Sequence, residues 1–106
     1  MKRKFTAFRF LSIMKLERCR RQIDLIDAEI VALLAAREGL SREIGRVKAA
    51  AGLPIVDAKR ESEVQHTVNG LSEQSKGIAS IYREILEQSR RVQAEVSDEK
   101  LAAAMR

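Results

Sequence analysis

The sequence predicts an all-α protein with three helices per chain, one long, one short and one of medium length, assembled as an intertwined helical homodimer. Three observations predict it. Apolar residues recur at alternating three- and four-residue steps from Leu16 to Ala51, the spacing of one helix face. A composition of 45% hydrophobic and 33% charged residues, with one Pro, five Gly and no Trp, suits amphipathic helices. A β-sandwich would want more aromatic, Thr and turn residues. Finally, 106 residues make one domain, whose core would be thin in a single copy and relieved by association with a second.

The first helix is expected over residues 16–50. Its stripe reads Leu16, Cys19, Ile23, Ile26, Ile30, Leu33, Arg37, Leu40, Ile44, Val47, Ala51, a sustained heptad seam. At 1.5 Å per residue such a helix is about 50 Å long, too long to bury itself against two shorter ones, so it should pair with another copy of itself. Gly52 and then Pro54 stop it. Asp57 reads as the N-cap of a short second helix over residues 58–69, with Val64, Val68 and Leu71 on one face and Asn69-Gly70 ending it. A third helix is expected over residues 78–96, with the stripe Ile78, Tyr82, Ile85, Ser89, Val92, Val96. The folded domain is therefore placed at residues 15–97. Residues 98–106 are expected to be a frayed tail, and residues 1–14 a disordered basic extension, with Met14 an alternative start.

The net charge of +5 invites a nucleic-acid role, but its location argues against one. Lys2, Arg3, Lys4, Arg9 and Lys15 supply five cations in a stretch without an acid, and from Leu16 onward fifteen basic residues face fifteen acidic ones. A nucleic-acid footprint should instead be a patch on the fold. Residues 1–14 resemble a signal peptide only superficially: the apolar part is short, Arg9 interrupts it, and no small-residue cleavage site follows. No stretch is long and apolar enough to span a membrane. Cys19 is the single cysteine; it fits a reducing cytoplasm and, on the apolar stripe, reads as a buried structural thiol.

The informative residues are polar ones that interrupt the stripes. Arg37 holds a seam position, where a buried guanidinium is costly unless it meets an anion. Lys48 lies eleven residues on, which returns it to the same face about 16 Å along the axis. Two such cations can grip a small dianion. Ser89 interrupts the third helix in the same way, and Gln93 projects beside it one turn later. Arg20 is about 25 Å from Arg37 and about 100° around the helix. It cannot join that site in its own chain, but in an antiparallel dimer it can reach the Lys48 end of the other copy, giving two equivalent shared sites. Singly, each residue has an ordinary explanation: a register device at Arg37, a solvated Lys48, helix packing at Ser89. With Arg60 and Glu61 at the start of the second helix, they form a cluster of donors with one matched acceptor. His66 has no assigned role. There is no pattern for a metal site, a nucleophile–base pair or a phosphate-binding glycine loop.

These residues resemble the all-helical chorismate mutase family over about Leu16 to Gln93. The matching pieces are Arg20-Arg21-Gln22-Ile23-Asp24 with Ile26-Asp27, Leu33-Leu34-Ala35-Ala36-Arg37, Ile44-Gly45-Arg46-Val47-Lys48, Leu53-Pro54-Ile55-Val56-Asp57 running into Arg60-Glu61, and Ser89-Arg90-Arg91-Val92-Gln93. Each piece is weak alone; their order and spacing are not. The resemblance implies a homodimeric, cofactor-free enzyme that rearranges chorismate to prephenate in phenylalanine and tyrosine biosynthesis. It implies that Arg20 of the neighbouring subunit and Arg37 hold the two substrate carboxylates, that Lys48 and Gln93 donate to the ether oxygen, and that Glu61 accepts from the ring hydroxyl. Ser89 would touch a carboxylate, and Asp57 and Arg60 would complete the loop side of the pocket. Such a rearrangement needs no nucleophile and no general base. It needs the reactive conformer held and charge on the departing oxygen stabilised, which matches a donor-rich cluster without a triad. Two alternatives stand beside it: an isochorismate–pyruvate lyase on the same fold, which Glu61 suits less well, and a non-catalytic helical dimerisation module, which would have no need of Arg37 at the seam.

Overall fold

The structure, a computed structural model, describes residues 2–73 and 75–105, with side chains from residue 6 onward. Met1 and Arg106, the ends of the expected extension and tail, lie outside the described residues. The chain is all-helical: α1 spans Lys2–Ala51, α2 Ala58–Leu71 and α3 Lys76–Ala104, with no strand among the described residues.

Both outer helices overrun their expected limits. The first starts at Lys2 rather than at residue 16, and the third continues to Ala104 rather than fraying after residue 96. The physical reason is the same at both ends. Apolar periodicity marks where a helix has something to bury, whereas the helix itself stops at a breaker, and residues 2–15 and 97–104 contain neither Gly nor Pro.

The helix ends between them follow local rules. Gly52 adopts φ +67°, a left-handed conformation open to glycine at little steric cost. This lets Leu53 N–H return to the Lys48 carbonyl at 2.8 Å and closes α1. Asp57 is the N-cap of α2 as expected, its carboxylate accepting from Arg60 N–H at 2.9 Å. The second helix runs two residues past Asn69, and Ser72 closes it by donating from both N–H and Oγ to the Val68 carbonyl.

The chain divides into two compact units, Met1–Ala36 and Arg37–Arg106. The first is helix alone. Its stripe residues Ile23, Ile26, Ile30 and Leu33 are exposed in the single chain, Leu33 by 70%. Cys19, expected to be buried on that stripe, is exposed as well. The second unit holds the last turns of α1 together with α2 and α3. Its apolar core is Val68 of α2 with Leu86, Val92 and Val96 of α3. Leu71, expected on the buried face of α2, is exposed because it occupies the helix's last position. Ser41, Gly45 and Gln93 are also buried, so the α1–α3 contact is polar and close.

Candidate functional site

The second unit contains a cavity of about 350 Å³, within the span of roughly 300–1,000 Å³ usual for small-ligand sites. Each helix supplies part of its wall. Arg37, Ser41 and Lys48 come from one face of α1, Asp57, Arg60 and Glu61 from the start of α2, and Ser89, Arg90 and Gln93 from α3. Leu40, Ile44, Ile55, Val64 and Leu86 form the apolar remainder. Seven of the eight residues singled out in the sequence thus meet around one cavity. Arg20 is not among them; it belongs to the first unit, where its guanidinium pairs with Glu17 at 2.9 Å in an exposed bridge.

Lys48 is half-buried and anchored twice. Its Nζ donates to the Ile55 carbonyl at 2.8 Å and to Gln93 Oε1 at 2.8 Å. An ammonium has three protons and no lone pair, so one N–H is left for the cavity. The same bond sets the Gln93 amide. A group that can only donate must face the amide oxygen, which leaves the Gln93 NH₂ to other acceptors. Gln93 is 8% exposed, and its backbone is pressed against Gly45. A Cβ built on Gly45 would lie 2.9 Å from Gln93 Cα and from its carbonyl oxygen. The glycine is therefore what permits α1 and α3 to approach here.

Arg37 is held from two sides. One guanidinium nitrogen donates to Ser89 Oγ, and its Cζ lies 5.7 Å from the centroid of the Tyr82 ring, within cation–π reach. Ser89 Oγ is also 3.1 Å from Ser41 Oγ. Across the cavity, Glu61 is bridged to Arg90 at 3.3 Å, and Arg60 pairs loosely with Glu63 at 3.8 Å. Asp57 spends one carboxylate oxygen on its cap. Four cationic and two acidic side chains line the cavity, a net charge of +2 that complements a dianion.

Three participants were not foreseen. The Ile55 carbonyl is a backbone group, and nothing in a side-chain pattern marks it. Arg90 follows Ser89 directly, but a charged residue on a long helix ordinarily faces water. Ser41 reads as a routine polar position one turn after Arg37, and it is 4% exposed. Among the described residues no group of three or more His, Cys, Asp or Glu could hold a metal ion, and no helix is long and apolar enough to cross a membrane.

A cavity in an all-helical domain, walled by cationic N–H donors on three helices and positively charged on balance, complements a small anion. The chain belongs to the chorismate mutase type II family, whose pattern matches residues 19–94. A bifunctional chorismate mutase/prephenate dehydratase from Aquifex aeolicus is 37% identical to it over 79 residues, which are 68% of this chain and 22% of that protein. A chorismate mutase from Methanocaldococcus jannaschii is 36% identical over 59 residues, 56% of this chain and 60% of that one. The chain thus spans less than two thirds of the length of these curated relatives. Among solved structures, a conserved hypothetical protein from Pyrococcus furiosus is similar with a TM-score of 0.65 at 38% identity, covering 74% of this chain and 95% of the other.

Proposed function

We propose that this chain catalyses the rearrangement of chorismate to prephenate, without a cofactor, on the route to phenylalanine and tyrosine. The observation that carries the proposal is the Lys48–Gln93 pair. Each fixes the other at 2.8 Å, and each keeps donor capacity for a ligand atom beside them. In this rearrangement one C–O bond breaks and one C–C bond forms within a single molecule, so no co-reactant is needed. Negative charge grows on the departing ether oxygen. Donors held in place before the reaction stabilise that charge without reorganising, and removing one typically costs about 10²–10³ in rate. Arg37, steadied by Ser89 and Tyr82, binds one substrate carboxylate. Glu61, oriented by Arg90, accepts from the ring hydroxyl, and Asp57 and Arg60 close the side nearest α2.

The working form in this proposal is an antiparallel homodimer, with Arg20 of one copy binding the second carboxylate in the cavity of the other. The exposed stripe supports it. Ile23, Ile26, Ile30, Leu33, Leu40 and Val47 are all exposed in the single chain, and each large apolar side chain taken from water contributes roughly 1.5–3 kcal/mol. The Arg20–Glu17 bridge is exposed on both sides, so it opposes release of Arg20 to a ligand only weakly. The lone cysteine and a metabolite substrate fit a cytoplasmic setting.

The test is turnover by the purified chain. Loss of chorismate absorbance with formation of prephenate is the expected result. Inactivity on chorismate, or release of pyruvate from isochorismate instead, would overturn the assignment.

A further inference from the structure

We propose that Ser41 is a positioning residue that commits the Ser89 hydroxyl to donate into the cavity. The inference rests on the chorismate reading for the identity of the anion, and on hydrogen-bond accounting for the rest.

A serine hydroxyl has one proton and two lone pairs. The Arg37 guanidinium can only donate, so its bond to Ser89 Oγ occupies one lone pair of that oxygen. Ser41 Oγ stands 3.1 Å away. It lies four residues after Arg37 and therefore on the same face of α1. Ser41 is 4% exposed and part of the cavity wall. Two arrangements are open to the pair: Ser89 donates to Ser41, or Ser41 donates to Ser89.

A carboxylate in the cavity selects between them. A hydroxyl donating to an anion makes a charge-assisted bond, roughly twice as strong as a neutral one. Ser41 is buried and Ser89 half-exposed, so it is the Ser89 proton that turns to the ligand, and the Ser41 proton fills the second lone pair of Ser89. Both lone pairs are then taken, by Arg37 and by Ser41. Ser89 presents the cavity with a group that only donates. A ligand oxygen with a free lone pair is accepted at that point, an anionic one most strongly, while an ammonium, which can only donate, finds no acceptor. Ser41 touches Ser89 and acts through it, so its effect is on selection and hold of the carboxylate. The charge of that carboxylate does not change as the C–O bond breaks. Ser41 should therefore govern substrate binding and leave the chemical step nearly untouched, in contrast with Lys48 and Gln93.

The test is a double-mutant cycle on the full chain with Ser41→Ala, Ser89→Ala and the pair. Three quantities are read: kcat and KM for chorismate, calorimetric Kd for prephenate, which keeps both carboxylates, and thermal midpoint. Ser41→Ala is expected to raise KM and Kd about threefold to tenfold, the range for one neutral hydrogen bond, with kcat within about twofold. Adding Ser41→Ala to Ser89→Ala is expected to cost nothing further. Ser41→Cys, with a weak S–H donor of similar shape, should fall between wild type and Ser41→Ala, and it carries the test if the alanine variant does not fold. Additive losses in the double variant, a fall in kcat as large as the rise in KM, or no effect at all would each overturn the positioning role. The two readings fail separately. A wild type that binds prephenate but does not turn over chorismate overturns the activity while the binding cycle still decides Ser41. A wild type that does neither overturns both.

Discussion

Gly45→Ala tests whether the close approach of α1 and α3 sets the catalytic geometry. The added Cβ would meet Gln93 Cα and O at 2.9 Å, whereas ordinary contact begins near 3.4 Å. The helices must therefore part by about 0.5 Å, because a backbone, unlike a side-chain tip, cannot rotate out of a repulsive contact. Lys48 lies one turn beyond Gly45, and Gln93 is the residue pushed. Their bond, 2.8 Å at present, would stretch to about 3.3 Å, past the usual hydrogen-bonding range. Overpacking of this kind costs ~1–3 kcal/mol, of which the better helix propensity of alanine offsets about 1. Net destabilisation of ~0–2 kcal/mol would lower the thermal midpoint by up to roughly 10 °C in a domain of this size. A misplacement of about 1 Å costs on the order of 10²-fold in rate, so half that distance should cost about tenfold. The assay is kcat/KM for chorismate, with circular dichroism melting on the same samples. A variant with full activity and an unchanged or higher midpoint would refute the reasoning, because it would mean that the contact relaxes without moving Gln93.

Three further substitution experiments and one deletion have expected outcomes. Lys48→Ala should lower kcat about 10²–10³-fold, more than it raises KM, in steady-state kinetics. Gln93→Glu should fold well, since the new carboxylate faces the Lys48 ammonium, yet be nearly inactive at neutral pH, because a carboxylate repels the charge on the departing oxygen; activity should return only on the acid side, where the protonated acid can donate, and a flat kcat/KM profile like that of wild type would place Gln93 away from the breaking bond. Mixing Arg20→Ala with Arg37→Ala chains should restore turnover in heterodimers, with one site carrying both defects and the other neither; no recovery after verified subunit exchange would exclude a shared site. Deleting residues 1–13 should leave far-ultraviolet circular dichroism per residue and kcat/KM close to wild type, because they precede the apolar seam that begins at Leu16; a large loss of either would make the leader structural.

The helices, their order and seven residues of the cavity were legible in the sequence because that information is local. Apolar spacing of three and four residues defines a face, Gly52 and Pro54 interrupt it, and Asp57 caps the second helix. Arg37 and Lys48 share a face by arithmetic along one helix. The resemblance to a known family added the roles, above all that of Gln93, since a glutamine one turn after Ser89 says little by itself. Tertiary structure decided what depends on two helices crossing. The Ser41–Ser89 contact and the Gly45–Gln93 approach join residues of different helices that no helical period relates, and the Ile55 carbonyl reaches Lys48 only because the connection after α1 folds back. A helical pattern says which way a side chain points but not what meets it there, so Ser41 and Arg90 read as solvated until the helices pack around them. The leader shows the converse limit: burial periodicity ends near Leu16, while the helix begins at Lys2, since hydrogen bonds along a breaker-free backbone do not require a buried face.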